Sequence, residues 1–167
     1  AQILRKFLKG DNKINKLDMY VRGAHYLDIF SELKDLKNVS LLKTISANKL
    51  INVYSEPAIT IVPLTRQASQ CAFPSRVPSA MSMGSPILVI TDFIEDNYLV
   101  DFVNNNKIGL SIKINQFENI DKISYLFEEN YNIYRSNCLK IYDEYFALEK
   151  GLNEIFEGIN NLINFKN

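Results

Sequence analysis

At 167 residues with 47 % hydrophobic side chains, the chain has enough apolar material for one full core, so a single domain spanning 1–167 is the expectation. Its 19 basic residues balance 19 acidic ones and neither sign forms a block, which leaves no basic face for gripping a nucleic-acid duplex. The apolar runs are too short to cross a bilayer, and the isolated Cys71 and Cys138 lack metal-ligand spacing and read as reduced structural thiols, so a cytoplasmic protein is expected.

Gln2 to Lys9 sets Ile3, Leu4, Phe7 and Leu8 on one helical face. Lys16 to Val21 is a predicted strand, and Arg22-Gly23-Ala24-His25 turns it into a helix with Leu27, Phe30, Leu33 and Leu36 at helical spacing. Val39 to Ile45 is the next strand. Ser46 then caps a short helix through Leu50 and Tyr54 that stops at Pro57. Ala58 to Leu64 is a continuous apolar run, as expected of a parallel strand covered on both faces. After a loop from Thr65 to Ala72 and a short helix, Pro86 to Ile90 is another buried strand. Asn97 to Asn105 is helical, Ile108 to Ile114 is the last strand, and everything after Gln116 is predicted to be helix, with 117–167 closing the domain. Strands alternating with helices in this way predict βαβ units and an α/β fold, a doubly wound parallel sheet with C-terminal helices. Such sheets bind ligands beyond the carboxyl ends of their strands, which directs attention to the loops 22–25, 44–46, 65–76 and 91–95.

The run Phe73-Pro74-Ser75-Arg76-Val77-Pro78-Ser79-Ala80-Met81-Ser82-Met83-Gly84-Ser85-Pro86 carries the clearest functional signal. Ser75 is expected to cap a helix by accepting a backbone N–H bond, Pro78 falls in the first turn where its missing donor is harmless, and Gly84 supplies the left-handed stop. The first turn of such a helix presents free amides and the positive end of its dipole, and Arg76 adds a guanidinium fork suited to phosphate. An ordinary connection between helix and strand, with a solvated Arg, fits the same spacing. Arg66 is a further cation that either reaches a phosphate or sugar or stays in solvent. The lone His25 reads as a loop residue, Asp92 as a helix cap or a contact to the hydroxyls of a bound ligand, and the tail aromatics Tyr131, Tyr134, Tyr142, Phe146 and Phe156 as packing or docking residues or as base-stacking ones.

These motif residues resemble the donor-site element of glycosyltransferases of the GT-B fold, of the family-4 kind. The relevant variant reads Phe-Pro-Ser-[Lys/Arg]-x-x-[Glu/Ser]-x-x-Ala-x-Gly-x-Pro before an apolar strand. Phe73, Pro74, Ser75, Arg76, Ser79, Ser82, Gly84 and Pro86 fill it here. Ser82 stands where Ala is usual, and Cys71 and Ser79 stand where the commoner pattern has Glu, so the family's carboxylate contacts to the donor do not carry over. Asn38-Val39, Ser46 through Tyr54-Ser55, Asn104 to Leu110 and Tyr131 to Lys150 are similar to other segments of the family in the same order. Arg22-Gly23-Ala24-His25 departs from its Gly-x-Gly-Pro-Glu loop.

The resemblance implies one half of a GT-B enzyme, the Rossmann-like carboxyl-terminal domain that holds the nucleotide sugar. It further implies that an acceptor domain and a central first strand lie upstream in a longer parent protein, leaving a slot between the strands at Lys16 to Val21 and Ala58 to Leu64. The implied reaction is retaining transfer of a sugar from a UDP- or GDP-sugar to a bacterial surface glycan such as O-antigen or capsule, with no metal and no cofactor. The glycan or lipid-linked acceptor would bind through the other domain, and the full protein would associate peripherally with the inner face of the plasma membrane. Arg76, Val77 and Ser75 would hold the diphosphate, Ser79 the ribose or a phosphate, Arg66 a phosphate or sugar, and backbone from Leu42 to Thr44 the nucleobase. The catalytic residues are unknown on this reading. A sugar-nucleotide epimerase would want carboxylates and a His near the diphosphate, and a non-catalytic receiver-like module would want acidic residues at the strand ends. Neither set is evident in the sequence.

Overall fold

The computed structural model describes residues 17–20, 26–37, 39–42, 46–54, 58–64, 73–113 and 120–164. In chain order these form β1 (Leu17–Tyr20), α1 (Tyr26–Leu33), β2 (Val39–Leu42), α2 (Ala47–Val53), β3 (Thr60–Leu64), α3 (Arg76–Ser82), β4 (Ile87–Thr91), α4 (Tyr98–Asn105), β5 (Gly109–Lys113), α5 (Ile120–Tyr145) and α6 (Leu148–Asn164). The order is the alternating one that the apolar runs predict, and all the strand pairs are parallel.

The described residues form two sheets, β1-β2 and β3-β4-β5. Among the described residues no ladder joins β1 to β3. β4 is the middle strand of the larger sheet, with Thr60 opposite Ile87 and Ile87 opposite Gly109, and all of its residues are buried. That double covering explains its unbroken apolar sequence, since neither face meets water. On one face Val62, Leu64, Ile87 and Val89 pack with Val77, Ala80 and Met81 of α3, Leu99, Val100 and Val103 of α4, and Cys138 and Ile141 of α5. On the other, Leu88, Ile90 and Ile112 pack with Phe127 of α5, flanked by Ile61 and Tyr134.

The amide of Thr60 donates to the Pro86 carbonyl at 2.8 Å, so the backbone groups of residues 60, 62 and 64 point toward β4. Pro63 therefore aims its donorless nitrogen away from the ladder, which is how a proline fits inside this strand. Tyr131 fixes the start of β3 from α5: its hydroxyl accepts from the Ala58 amide at 3.0 Å and donates to the Ala58 carbonyl at 3.3 Å.

Several expected boundaries change. β3 starts at Thr60 and not at Ala58, β4 runs from Ile87 to Thr91 and not from Pro86 to Ile90, and β5 starts at Gly109 and not at Ile108. The predicted single closing helix is two helices, because α5 ends at Tyr145 and the Ala147 carbonyl starts a new one by accepting from Lys150 and Gly151. The predicted helix at Asn97 begins one residue later, with Asn97 as its cap. The Asn97 Oδ1 accepts from the Val100 amide at 3.3 Å.

Candidate functional site

In a parallel sheet the crossover helix runs back against the strands, so the first turn of α3 lies at the carboxyl edge of β3 and β4, where ligands of such sheets bind. Ser75, Arg76 and Ser79 are exposed there, while Val77 is wholly buried in the core. The burial of Val77, Ala80 and Met81 sets the helix orientation, and Arg76 is left facing solvent.

The cap expected from Ser75 is not formed. Its backbone is already helical, at φ −57 and ψ −22, and its side chain bonds no amide. The Pro74 carbonyl closes the first turn instead by accepting from the Val77 amide at 2.9 Å. Val77 is thus without a free donor for an anion, and Pro78 has none to give. Among the described residues the amides of Ser75 and Arg76 have no acceptor, and these are the donors that accompany the Arg76 guanidinium. Ser79 donates its hydroxyl to the Ser75 carbonyl at 3.2 Å, leaving only lone pairs to offer a ligand. Such bonding back to the preceding turn is ordinary for helical Ser.

The segment is clamped at both ends. Gly84, at φ 65, ends the helix with its amide on the Met81 carbonyl at 2.9 Å, and Arg135 of α5 donates to the Gly84 carbonyl at 3.2 Å. At the other end Phe73 stacks on Phe146 at 5.6 Å and meets Phe102 edge-on at 5.2 Å. Phe73 was not singled out as an anchor by sequence reasoning. The signal available was the pair of aromatic residues Phe102 and Phe146 within predicted helices, whose common target only the tertiary fold reveals.

The loop after β4 shares the same edge and is internally braced. Thr91 is buried, and its hydroxyl accepts from the Phe93 amide at 3.2 Å. Asn97 donates to the Phe93 carbonyl at 3.1 Å while capping α4, so the cap expected from Asp92 comes from Asn97. Glu95 bonds Lys113 of β5 at 3.0 Å, and that hydrogen bond holds its carboxyl below the usual range. Behind the site Cys138 is buried, with its sulfur 3.4 Å from the Ile108 carbonyl and 3.5 Å from that of Ser85. Burial pushes this thiol up to about 12, which suits a packing group and not a nucleophile.

Thr44, Arg66, His25 and Cys71 lie outside the described residues. Among the described residues no three His, Cys, Asp or Glu side chains gather where one metal ion could be held, and no helix is long and apolar enough to cross a membrane. No protein-family model matches the chain, and comparison with curated proteins and with solved structures gives no match.

Proposed function

We propose that this chain is the donor-binding part of a retaining glycosyltransferase of the GT-B type, taking a UDP- or GDP-sugar and serving the assembly of a bacterial surface glycan at the cytoplasmic face of the membrane. The observation that carries the reading is Arg76. It stands exposed at the start of α3, in a segment similar to the family's donor-site element, with Phe73 and Gly84 holding that segment at either end. The Arg76 fork and the amides of Ser75 and Arg76 would bind the diphosphate and stabilise the charge that grows on it as the sugar leaves. Ser79 would accept from a ribose hydroxyl. Arg66 and the backbone at Thr44 would add a phosphate and a nucleobase contact.

Calorimetric titration with UDP, GDP and ADP tests this reading and selects the nucleotide class. Arg76→Ala is expected to weaken the preferred diphosphate by roughly 1.5–3 kcal/mol, the worth of a charge-assisted bond. Ser79→Ala should cost less than about 1 kcal/mol, since its proton is engaged within the helix. Absence of binding by all three nucleotides, or full binding by Arg76→Ala, would refute the assignment.

A further inference from the structure

From Leu148 to Asn161 every residue of α6 is exposed, including Leu148, Leu152, Ile155, Phe156 and Ile159. Isolated helices of about this length are marginal in water, so such an apolar stripe needs cover. Its spacing suits a second helix. Leu148, Leu152, Ile155 and Ile159 step by four, three and four residues, and the sequence extends the repeat to Leu162. That is the a and d pattern of a coiled coil. Phe156 occupies a flanking position on one side of this seam, Gly151 and Gly158 those on the other, and Lys150, Glu154 and Glu157 fall at outer positions.

We infer that α6 pairs in parallel and in register with α6 of a second copy of this chain. In that arrangement the flanking position before one seam residue faces the flanking position five residues further along the other helix. Gly151 then meets Phe156 of the second copy. A Cβ at Gly151 would have nothing within 4 Å in a single chain, so the bare backbone leaves a notch into which the ring fits. Leu148, Leu152, Ile155, Phe156 and Ile159 are 43–76 % exposed. At roughly 200 Å² for a fully exposed residue of this size, they present on the order of 500 Å² per copy, and two copies reach the ~1,000 Å² of a specific interface. A lipid surface fits less well. The polar face carries Glu149, Glu154 and Glu157 against Lys150 alone, a balance that anionic headgroups repel.

Sedimentation velocity over a wide concentration range should show a dimer that dissociates on dilution. Ile155→Glu should leave a monomer at every concentration. Gly151→Leu raises the helix propensity of α6 and sets its Cβ in open space in one chain, yet it should weaken the dimer by about tenfold or more by filling the notch. Ile159→Cys in a Cys71→Ser background should form a disulfide between copies under mild oxidation. A wild-type chain that stays monomeric at its highest soluble concentration would overturn the inference. So would a dimer indifferent to both Ile155→Glu and Gly151→Leu, or a monomer that pellets with phosphatidylcholine or phosphatidylserine vesicles.

Discussion

Gly109→Ala is expected to be among the most damaging single-methyl additions to this domain. A Cβ at Gly109 would lie 1.8 Å from the carbonyl oxygen of Ile87 and 2.7 Å from that residue's carbonyl carbon and nitrogen. All three are backbone atoms of β4, so no side-chain rotation relieves the clash. β5 must withdraw by more than an ångström, and the bond from the Ile87 amide to the Ile108 carbonyl, now 3.0 Å, cannot survive that shift. Leaving one or two buried ladder groups unpaired costs about 1–3 kcal/mol each, and repacking around Ile87 and Ile108 adds about 1–3 kcal/mol. A total near 3–5 kcal/mol is a large part of the ~5–15 kcal/mol that holds a domain folded. Urea unfolding followed by circular dichroism measures it, and at about 2–4 °C per kcal/mol the midpoint of thermal unfolding should fall by roughly 6–20 °C. Gly158→Ala is the matched control: a Cβ there meets nothing within 4 Å, and the helix should gain up to about 1 kcal/mol. A Gly109→Ala variant within about 1 kcal/mol of wild type would refute the close approach of the two strands.

Two further outcomes follow from buried groups. The Cys138 thiol keeps its proton up to about 12 in the fold against 9.0 when free, so above pH 9 the unfolded chain binds fewer protons than the native one. Stability should therefore fall as pH rises from 9 toward 12, at about 1.4 kcal/mol per unit from this group, and Cys138→Val should lose that part of the slope in urea titrations at stepped pH. Asn97→Ala removes both the α4 cap and the bond to Phe93, with an expected loss of about 1–3 kcal/mol. Hydrogen exchange at Val100 reads the effect directly, and unchanged protection there would show that the cap contributes little.

Much of the sheet was legible because burial on two faces leaves an unmistakable trace. Ile87 to Ile90 is apolar without alternation, and every residue of β4 is buried. Ile61 to Leu64 reads the same way in sequence, yet in β3 only Val62 and Leu64 are buried and Pro63 is exposed, so the expected covering of both faces holds for β4 and not for β3. Local end chemistry was less legible. Ser75 and Asp92 are both good capping residues by type, but a carbonyl from Pro74 and a side chain from Asn97 reach the free amides first. That competition is decided by backbone angles that composition does not encode. The division between α5 and α6 escaped for a related reason. Nothing in Phe146-Ala147 breaks a helix, and the turn accompanies the packing of the Phe146 ring against Phe73 and Phe102, partners distant in sequence.

Pro63 has a consequence for what the side of β3 away from β4 tolerates, a side that no strand pairs among the described residues. The groups of residues 61 and 63 face away from β4, and at Pro63 that side offers a carbonyl but no donor. Any strand docking along it in a regular ladder would strand one of its own carbonyls, a penalty of about 1–3 kcal/mol once water is excluded. An extended segment that bulges or ends before Pro63 escapes the penalty. Long, indiscriminate β segments do not, so one imino acid acts as a gatekeeper against fibril-like growth from the edge of an otherwise adhesive apolar strand.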